Sequence, residues 1–278
     1  MIANITNIGY FFNIQINHMK LTYIIITLLT LFCVSAQKNT NATGKVVFEM
    51  KANFGQPVTE NWFLIFNESK SIFTQDKTFK LQENDLKKNN EEIKIKTEEV
   101  LPHIIIDMAR DSIYNQVMIF VKPYYVKDKI YKPKWQILKE FKNIGNYKCQ
   151  KATTNFRGRN YIAWFSEQIP VNFGPWKLNG LPGLILEIED DMNLIKMTAK
   201  SVEINSNLDF DFSTNSIPKI GKQISMRDFV MLKDNESKEI MQYVMSKEDR
   251  NAEIELVNKL VKRNGLELTY EWEQNEKK

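Results

Sequence analysis

Cysteine and histidine are scarce in this chain, which has only two of each among its 278 residues. A conventional zinc site takes several such side chains, and the sequence contains neither a paired-histidine motif nor an EF-hand pattern. We therefore expect no metal and no cofactor. The alternative is calcium at a hairpin tip, held by four nearby carboxylates: Glu187, Glu189, Asp190 and Asp191.

Familiar catalytic motifs are also missing. No Gly-x-Ser-x-Gly sequence is present, which argues against a serine hydrolase of that type. A nucleophilic Cys149 would need an adjacent base, and nothing in the spacing places His103 or Asp107 beside it. We predict that Cys149 is a small buried side chain, with a redox or intermolecular thiol as the alternative. A glycosidase needs only two carboxylates, which the 34 acidic residues leave open.

No apolar run reaches the roughly 20 residues that a membrane-spanning helix needs. The longest, from Leu21 to Phe32, follows Lys20 and precedes the small residues Val34-Ser35-Ala36, which is typical of a secretory signal. We expect residues 19–36 to be a cleaved signal. Residues 1–18 carry no charge, and we expect them to be an upstream extension that precedes the true start at Met19.

The remaining residues, 37–278, are expected to form one β-rich domain that acts in the periplasm, at the outer membrane or outside the cell. Without Lys20 the chain has 37 Lys plus Arg against 34 Asp plus Glu, so its net charge is about +3 and predicts no nucleic-acid partner. Once Cys33 leaves with the signal, no internal disulfide is possible. The hydrophobic core must therefore hold the domain together.

Apolar and polar residues alternate with period two through most of the region up to residue 204. The last of these strands changes phase between Ala199 and Val202, which predicts a bulge near Lys200 and Ser201. Residues 76–99, rich in Lys, Glu and Asn, predict a surface loop, with a lid as the alternative. Strands are predicted at 44–54, 62–66, 71–74, 113–121, 133–141, 147–156, 159–166, 184–189 and 194–204.

The period becomes helical after residue 225. Ser225 and Asp228 resemble a capping box, and the following face includes Phe229 and Leu232. A second helix is predicted between Ser246 and the stop at 264–265, and a final strand at 266–273. The expected fold is mostly β with α (α+β): a curved antiparallel sheet or half-barrel of roughly eight to ten strands with two C-terminal helices and a final strand.

The most distinctive part of the sequence lies between Ile144 and Ile188. It includes Phe156-Arg157-Gly158-Arg159, Gly174-Pro175-Trp176-Lys177-Leu178 and Gly180-Leu181-Pro182-Gly183-Leu184-Ile185. This run resembles the GLPGLI family, exported proteins of Bacteroidetes named after the last hexapeptide. The resemblance implies an exported β-rich domain, but the family has no settled biochemical function, so it implies no catalytic residues. The motif residues of unknown role are Cys149, Gly174, Pro175, Trp176, Gly180, Leu181, Pro182, Gly183, Leu184 and Ile185.

Local chemistry still suggests roles within this run. Pro182 between two glycines predicts a tight turn into the next strand, and Trp176 is expected to plug the core beneath the turn at 174–175. The alternative for this segment is a rigid recognition loop. Arg157 and Arg159 are expected to project from a hairpin turn, so with Trp176 they are the candidates for recognition of a phosphate, a carboxylate or a lipid headgroup.

Three hypotheses follow for the function. The first is a non-enzymatic envelope protein that binds an apolar ligand, a peptide or a protein partner on the concave side of the sheet. The second is a hydrolase of peptides or glycans, and the third is a structural surface protein. The absence of His and Cys clusters favours the first over the second.

Overall fold

A computed structural model describes the domain, and all of its described residues lie in one compact unit, Ala42–Lys278. The signal segment, the extension at 1–18, the loop at 76–99 and residues 246–262, where we predict a second helix, lie outside the described residues. The structure describes residues 43–75, 102–119, 122–204, 212, 219–245, 263 and 265–274.

The described residues form a single 12-stranded sheet and one long α-helix. The helix, α1, spans Met226–Met245, and two short 3-10 helices lie at Met108–Arg110 and Glu271–Gln274. The strands are β1 Gly44–Asn53, β2 Pro57–Phe66, β3 Lys70–Gln75, β4 His103–Asp107, β5 Ser112–Ile119, β6 Lys122–Lys129, β7 Gln136–Ile144, β8 Tyr147–Phe156, β9 Arg159–Ser166, β10 Leu184–Asp190, β11 Ile195–Ile204 and β12 Lys222–Ser225.

Two meanders build this sheet. The strand order is β12-β6-β5-β4-β3-β2-β1-β11-β10-β9-β8-β7, so β1 to β6 run outward in one direction and β7 to β11 return to lie beside β1. Neighbouring strands are antiparallel except β12, which pairs in parallel with β6. Hairpin connections explain most of this pattern, because antiparallel neighbours can be joined by a few residues; the connections from β3 to β4 and from β9 to β10 are longer.

The sheet must be strongly curved. Only residues 130–135 connect β6 to β7, although these strands lie ten positions apart in the order. Strands spaced by about 4.8 Å would be ~48 Å apart in a flat sheet, whereas the connection can span at most ~25 Å. An ion pair across the same gap, from Arg157 beyond the end of β8 to Asp128 on β6, has an N–O distance of 2.9 Å. The ends of the sheet therefore approach each other, although the hydrogen-bonded order stays open.

The core lies on the inner side of this curve. Side chains from the central strands, such as Phe48 and Phe165, are fully buried together with the segment 169–181, which folds against them. Trp176 is 5% exposed, in agreement with its predicted place in the core, and it packs edge-on against Phe156. A smaller cluster joins the end of the sheet to α1 and consists of Val126, Ile224, Met226, Val230 and Tyr270.

Two local predictions are confirmed. Val47 lies opposite Ser201 and Phe48 opposite Ala199, which leaves Lys200 as the extra residue of a bulge. The cap half of the predicted capping box also forms: the Oγ of Ser225 accepts a hydrogen bond from the backbone N–H of Asp228 at 3.1 Å and donates to its carboxylate at 2.7 Å. Helix α1 begins at the next residue, Met226.

The predicted final strand is wrong. Residues 266–270 pair with no described strand, and a 3-10 helix follows at Glu271–Gln274. Instead, the backbone N–H groups of Leu268 and Thr269 both donate to the carbonyl oxygen of Arg157, at 2.8 and 3.0 Å. Residues 266–270 therefore pack across the hairpin turn between β8 and β9. They do not return to the sheet as a strand.

Strands β4, β6 and β12 were not predicted. All five residues of β4 are buried, so the strand has no alternation by which to recognise it. The predicted strand at 133–141 begins later, at Gln136, because residues 130–135 span the gap between β6 and β7. The indole N–H of Trp135 donates to the carbonyl oxygen of Asn179 at 2.8 Å and fixes the end of that span.

Candidate functional site

A dense group of charged side chains surrounds the turn between β8 and β9. Arg157 and Gly158 form the two-residue turn, both with positive φ, at 47° and 82°. This is the backbone geometry of a type I′ hairpin, which matches the twist of the flanking strands. Arg157 adopts it although it is not glycine, and this residue is 7% exposed.

Three carboxylates surround the guanidinium of Arg157. Its Nη1 lies 2.5 Å from Glu267 and 2.9 Å from Asp128, and its Nε donates to Glu271 at 2.9 Å. Burial alone would lower the pKa of this guanidinium, but the negative charges of Glu267 and its neighbours outweigh burial and raise the pKa above its ordinary value. Arg157 is therefore permanently charged and fully engaged.

Lys177, which follows the turn at 174–175, completes this cluster. It is 1% exposed, and its Nζ lies 2.9 and 3.0 Å from the two carboxylate oxygens of Glu267. Burial would raise the pKa of Glu267, but the positive charges of Lys177 and Arg157 outweigh burial, so the pKa lies below its ordinary value. Glu267 is thus a buried, ionised carboxylate held by two cations.

Arg159 makes a second set of contacts, next along β9. Its guanidinium pairs with Asp190 and donates to the carbonyl oxygen of Gly265 at 2.6 Å. The hydroxyl of Tyr161 donates to the carbonyl oxygen of Leu266 at 2.7 Å. We call residues 265–274 the C-terminal segment, and the group Arg157, Gly158, Arg159, Tyr161 and Lys177 the arginine pocket.

The expectation that Arg157 and Arg159 project from the turn is wrong. Arg159 is 3% exposed, and both guanidiniums point into internal carboxylates and carbonyl oxygens, because the C-terminal segment lies over the turn. Recognition of an external anion by these side chains, or by the buried Trp176, stays a prediction. It would require the C-terminal segment to leave.

The motif residues at 174–185 mainly meet geometric demands. A Cβ on Gly183 would lie 2.2 Å from the carbonyl oxygen of Ser166, and one on Gly174 would lie 2.8 Å from Ile185. The backbone N–H of Leu184 donates to the carbonyl oxygen of Ile169 at 2.9 Å, which pulls the turn against the core. These contacts describe a folding corner of the kind predicted.

Cys149 and the residues considered as its partners lie on strands that are not neighbours. Cys149 is fully buried on β8, and burial raises the pKa of its thiol to about 11. Its Sγ donates to the carbonyl oxygen of Tyr147 at 3.5 Å, whereas His103 and Asp107 lie on β4. This described contact of the thiol does not supply the base that a cysteine nucleophile needs.

The carboxylates weighed as a calcium site are each engaged elsewhere. Glu187 contacts Lys142 at 2.6 Å, and Asp190 accepts the backbone N–H groups of Leu194 and Ile195 at 2.7 and 3.0 Å. Within the described ranges, no group of three or more His, Cys, Asp or Glu side chains is arranged to hold a metal ion.

A groove of about 660 Å³ lies at the other end of the sheet, between the edge strand β12 and one side of α1. We call it the β12 groove. Met231 and Leu232 line it and are 57% and 41% exposed, whereas Met226 and Val230 of the same helix are buried. Leu232 was predicted on the core face of the helix, and the structure places it in this groove. Lys127, Lys222, Gln223, Ile224, Ser225, Asp228 and Asn235 complete the lining.

Sequence comparison connects the arginine pocket to a family. A family described as "Protein of unknown function (Porph_ging)" matches residues 156–187, the stretch from the β8–β9 turn through the glycine corner to β10. No curated protein matches the chain. The match covers part of the run that resembles the GLPGLI family; it assigns no activity and does not give that name.

Structure comparison finds distant likenesses. Two structures of PNGF-II, in different space groups, match with a TM-score of 0.49, at 15% and 16% identity over 69% and 68% of this chain. An uncharacterised conserved protein from Thermus thermophilus matches with a TM-score of 0.35, at 9% identity, over 71% of this chain and 98% of its own. The LolA superfamily protein NE2245 from Nitrosomonas europaea matches with a TM-score of 0.30, at 9% identity, over 64% and 92%. The matched part spans about a third (32%) of the PNGF-II chain.

The described residues contain one long helix, α1, and two short 3-10 helices. No helix among them combines the length and the hydrophobicity needed to cross a membrane.

Proposed function

We propose that this chain is an exported envelope protein that binds a polypeptide partner without catalysing a reaction on it, and that the partner lies in the β12 groove. One observation carries the proposal: a strand edge and an exposed apolar stripe of a helix, neither with a partner among the described residues, line the same groove.

The strand edge can hold the backbone of a partner. β12 ends the strand order, so its one described neighbour is β6, on one side. An edge strand presents N–H and C=O groups that an extended peptide can satisfy by adding itself to the sheet. Four residues, Lys222 to Ser225, are long enough to pair with a short peptide.

The helix stripe can hold side chains of the same partner. Asp228, Met231, Leu232 and Asn235 lie at helical spacing on one side of α1. The volume of the groove, about 660 Å³, falls within the ~300–1,000 Å³ of ordinary ligand sites. An alternating peptide would place every second side chain over Met231 and Leu232.

Charge indicates which peptides fit. Lys127 and Lys222 line the groove, while its one carboxylate, on Asp228, is engaged by the capping hydroxyl of Ser225 at 2.7 Å. The groove therefore favours a peptide with apolar and acidic residues. The same geometry argues against glycan hydrolysis there, since that chemistry needs two carboxylates flanking the substrate.

The test is selection of binding peptides from a displayed library against the purified protein. We expect selected peptides to alternate apolar and acidic residues, and Met231→Asp to weaken their binding at least tenfold. Met192→Asp is the matched control, because Met192 is 62% exposed in the β10–β11 turn, outside the groove. Bound peptide should also slow amide hydrogen exchange at residues 222–225. Failure of the library to enrich, or equal binding to both variants, would contradict the proposal.

Export is tested separately, on protein recovered from the cells that make it. N-terminal sequencing should find a chain that begins at Gln37, the residue after the small-residue cleavage site. A retained residue 19 would contradict the cleaved signal but would leave the groove proposal untouched.

A further inference from the structure

We propose that the arginine pocket is a binding site for an acidic peptide, and that the C-terminal segment is an internal ligand that can leave this site and be replaced in trans by a peptide of the same sequence. This site is distinct from the β12 groove and uses different residues.

The contacts between pocket and segment are of the kind that peptide receptors make. The carboxylate of Glu267 accepts a hydrogen bond from Nη1 of Arg157 at 2.5 Å. Its two oxygens also accept from Nζ of Lys177 at 2.9 and 3.0 Å, so one acidic side chain is bound by charge-assisted hydrogen bonds. The backbone is held as well, because two consecutive N–H groups donate to the carbonyl oxygen of Arg157. Tyr161 and Arg159 bind carbonyl oxygens one and two residues before Glu267.

Gly158 makes room for side chains of the segment. A Cβ at this position would lie 2.6 Å from the Oγ1 of Thr269 and 3.2 Å from Leu268. Only glycine therefore allows the segment to lie directly on the turn. The turn glycine of the neighbouring β7–β8 hairpin, Gly145, also has a positive φ but has no atom within 4 Å of the same position.

The pocket is organised by groups that do not belong to the segment. Asp128 holds Arg157 at 2.9 Å, and Asp190 pairs with Arg159 from β10. Cations fixed in this way keep their orientation when the ligand leaves, which lowers the cost of binding a replacement.

The segment holds to the sheet mainly through side chains. It contributes none of the described strand pairings, and Glu271, which pairs with the turn, is 25% exposed, whereas Tyr270 is 6% exposed and packs with Val126 and Ile224. A cleft of about 170 Å³ already separates residues 131–134 from residues 269–271 beside Arg157. Departure of the segment would break no described strand pairing, but it would uncover the cluster that Tyr270 shares with Val126 and Ile224.

The first experiment measures binding of a fluorescent peptide with the sequence of residues 263–274 to the full chain by anisotropy. Glu267→Gln in the protein weakens the internal ligand, so we expect this variant to bind the wild-type peptide at least tenfold more tightly than the wild-type protein does. A peptide carrying Glu267→Gln should bind neither. The control protein carries Glu189→Gln. This change removes an ion pair outside the pocket, between Glu189 and Lys196 at 2.8 Å, so the variant should bind the peptides as wild type does.

Two results would overturn the proposal. One is a folded Glu267→Gln protein that binds no peptide; the other is equal binding of both peptides. Wild-type protein provides a further measurement that needs no variant. Native-state hydrogen exchange should show the amides of Leu268 and Thr269 opening more readily than the ladder amides of β8 and β9. If these two amides exchange only on global unfolding, the segment is a fixed part of the fold and the proposal fails.

Discussion

The family-matched stretch at 156–187 and the edge formed by β12 and α1 differ in almost every physical respect. The first is buried to such an extent that Lys177 is 1% exposed and a Cβ on Gly183 would collide with backbone. The second is a four-residue strand whose adjoining helix leaves Met231 57% exposed. Distinctive sequence thus marks the place where backbone approach and buried charge are most constrained. The open groove lies where the sequence is ordinary, since exposed side chains are constrained little by the fold.

Gly183→Ala should have the largest effect on stability. The new methyl group would lie 2.2 Å from the carbonyl oxygen of Ser166, so the glycine corner must shift. Overpacking of a tight site costs about 1–3 kcal/mol and more when backbone is the obstacle. Because the obstacle is backbone, we expect a loss above this range or failure to fold, measured by denaturant unfolding. Gly145→Ala, with open space at its Cβ, should cost about 1 kcal/mol for its positive φ.

Lys177→Met should come next. The change keeps the length of the side chain but leaves Glu267 with one fewer cation in a buried site. Removal of one partner from a buried ion pair costs about 3–5 kcal/mol, and Arg157 should bring the loss towards the lower end. Lys196→Met removes the ion pairs of Lys196 with Glu187 and Glu189. Because the lysine side chain is 46% exposed, the free energy of unfolding should change by less than ~1 kcal/mol. Equal losses in the two variants would remove the energetic contrast between pocket and surface.

Acidification should weaken the arginine pocket. The pKa of Glu267 is held below its ordinary value of 4.5, so its ion pairs contribute fully above that value and are lost as pH falls through the lower pKa of the folded state. We expect the free energy of unfolding of the wild-type protein to fall more steeply below about pH 4.5 than that of Glu267→Gln. Parallel curves from chemical denaturation would show that Glu267 carries no such linkage.

Ser225→Ala should have the smallest effect of the four. It removes the hydroxyl that caps α1 through Asp228, and loss of an N-cap typically costs about 1 kcal/mol. The loss should be local, so hydrogen exchange should accelerate in the first turn of α1 and not in β8 to β10. Faster exchange at the glycine corner would instead show that the two regions unfold together.

Much of the fold could be predicted wherever one physical signal dominates. Strands that alternate, such as β1 and β8 to β11, were located to within a few residues, and the phase change near Ala199 located the bulge at Lys200. The capping box located the start of α1. The buried strand β4 was missed, because burial on both faces removes alternation, and the C-terminal alternation was assigned to a strand that does not exist.

The candidate site was predicted less well. Arg157 and Arg159 were selected correctly as the charged residues of a hairpin turn, but their exposure was predicted wrongly, since their partners lie far along the chain at Asp128, Asp190 and Glu267. No local pattern links these positions. Residues 267–273 contain three glutamates and no lysine or arginine. This local excess of carboxylates was the available signal that cations from elsewhere in the chain would pair with them. The β12 groove had a weaker signal, a second apolar stripe on α1.

By itself, the sequence determined the local geometry: which residues turn, cap, alternate or bulge, because those choices depend on side chains within a few positions of each other. The scarcity of histidine and cysteine likewise follows from composition alone. Tertiary structure decided how the sheet curves, which ends of it meet, and that an acidic C-terminal segment fills the arginine pocket. The curvature involves contacts between parts of the sheet that are not neighbours in the strand order, such as Arg157 with Asp128, and the filled pocket depends on contacts more than a hundred positions apart, such as Arg157 with Glu267. No local period records the energies of such contacts.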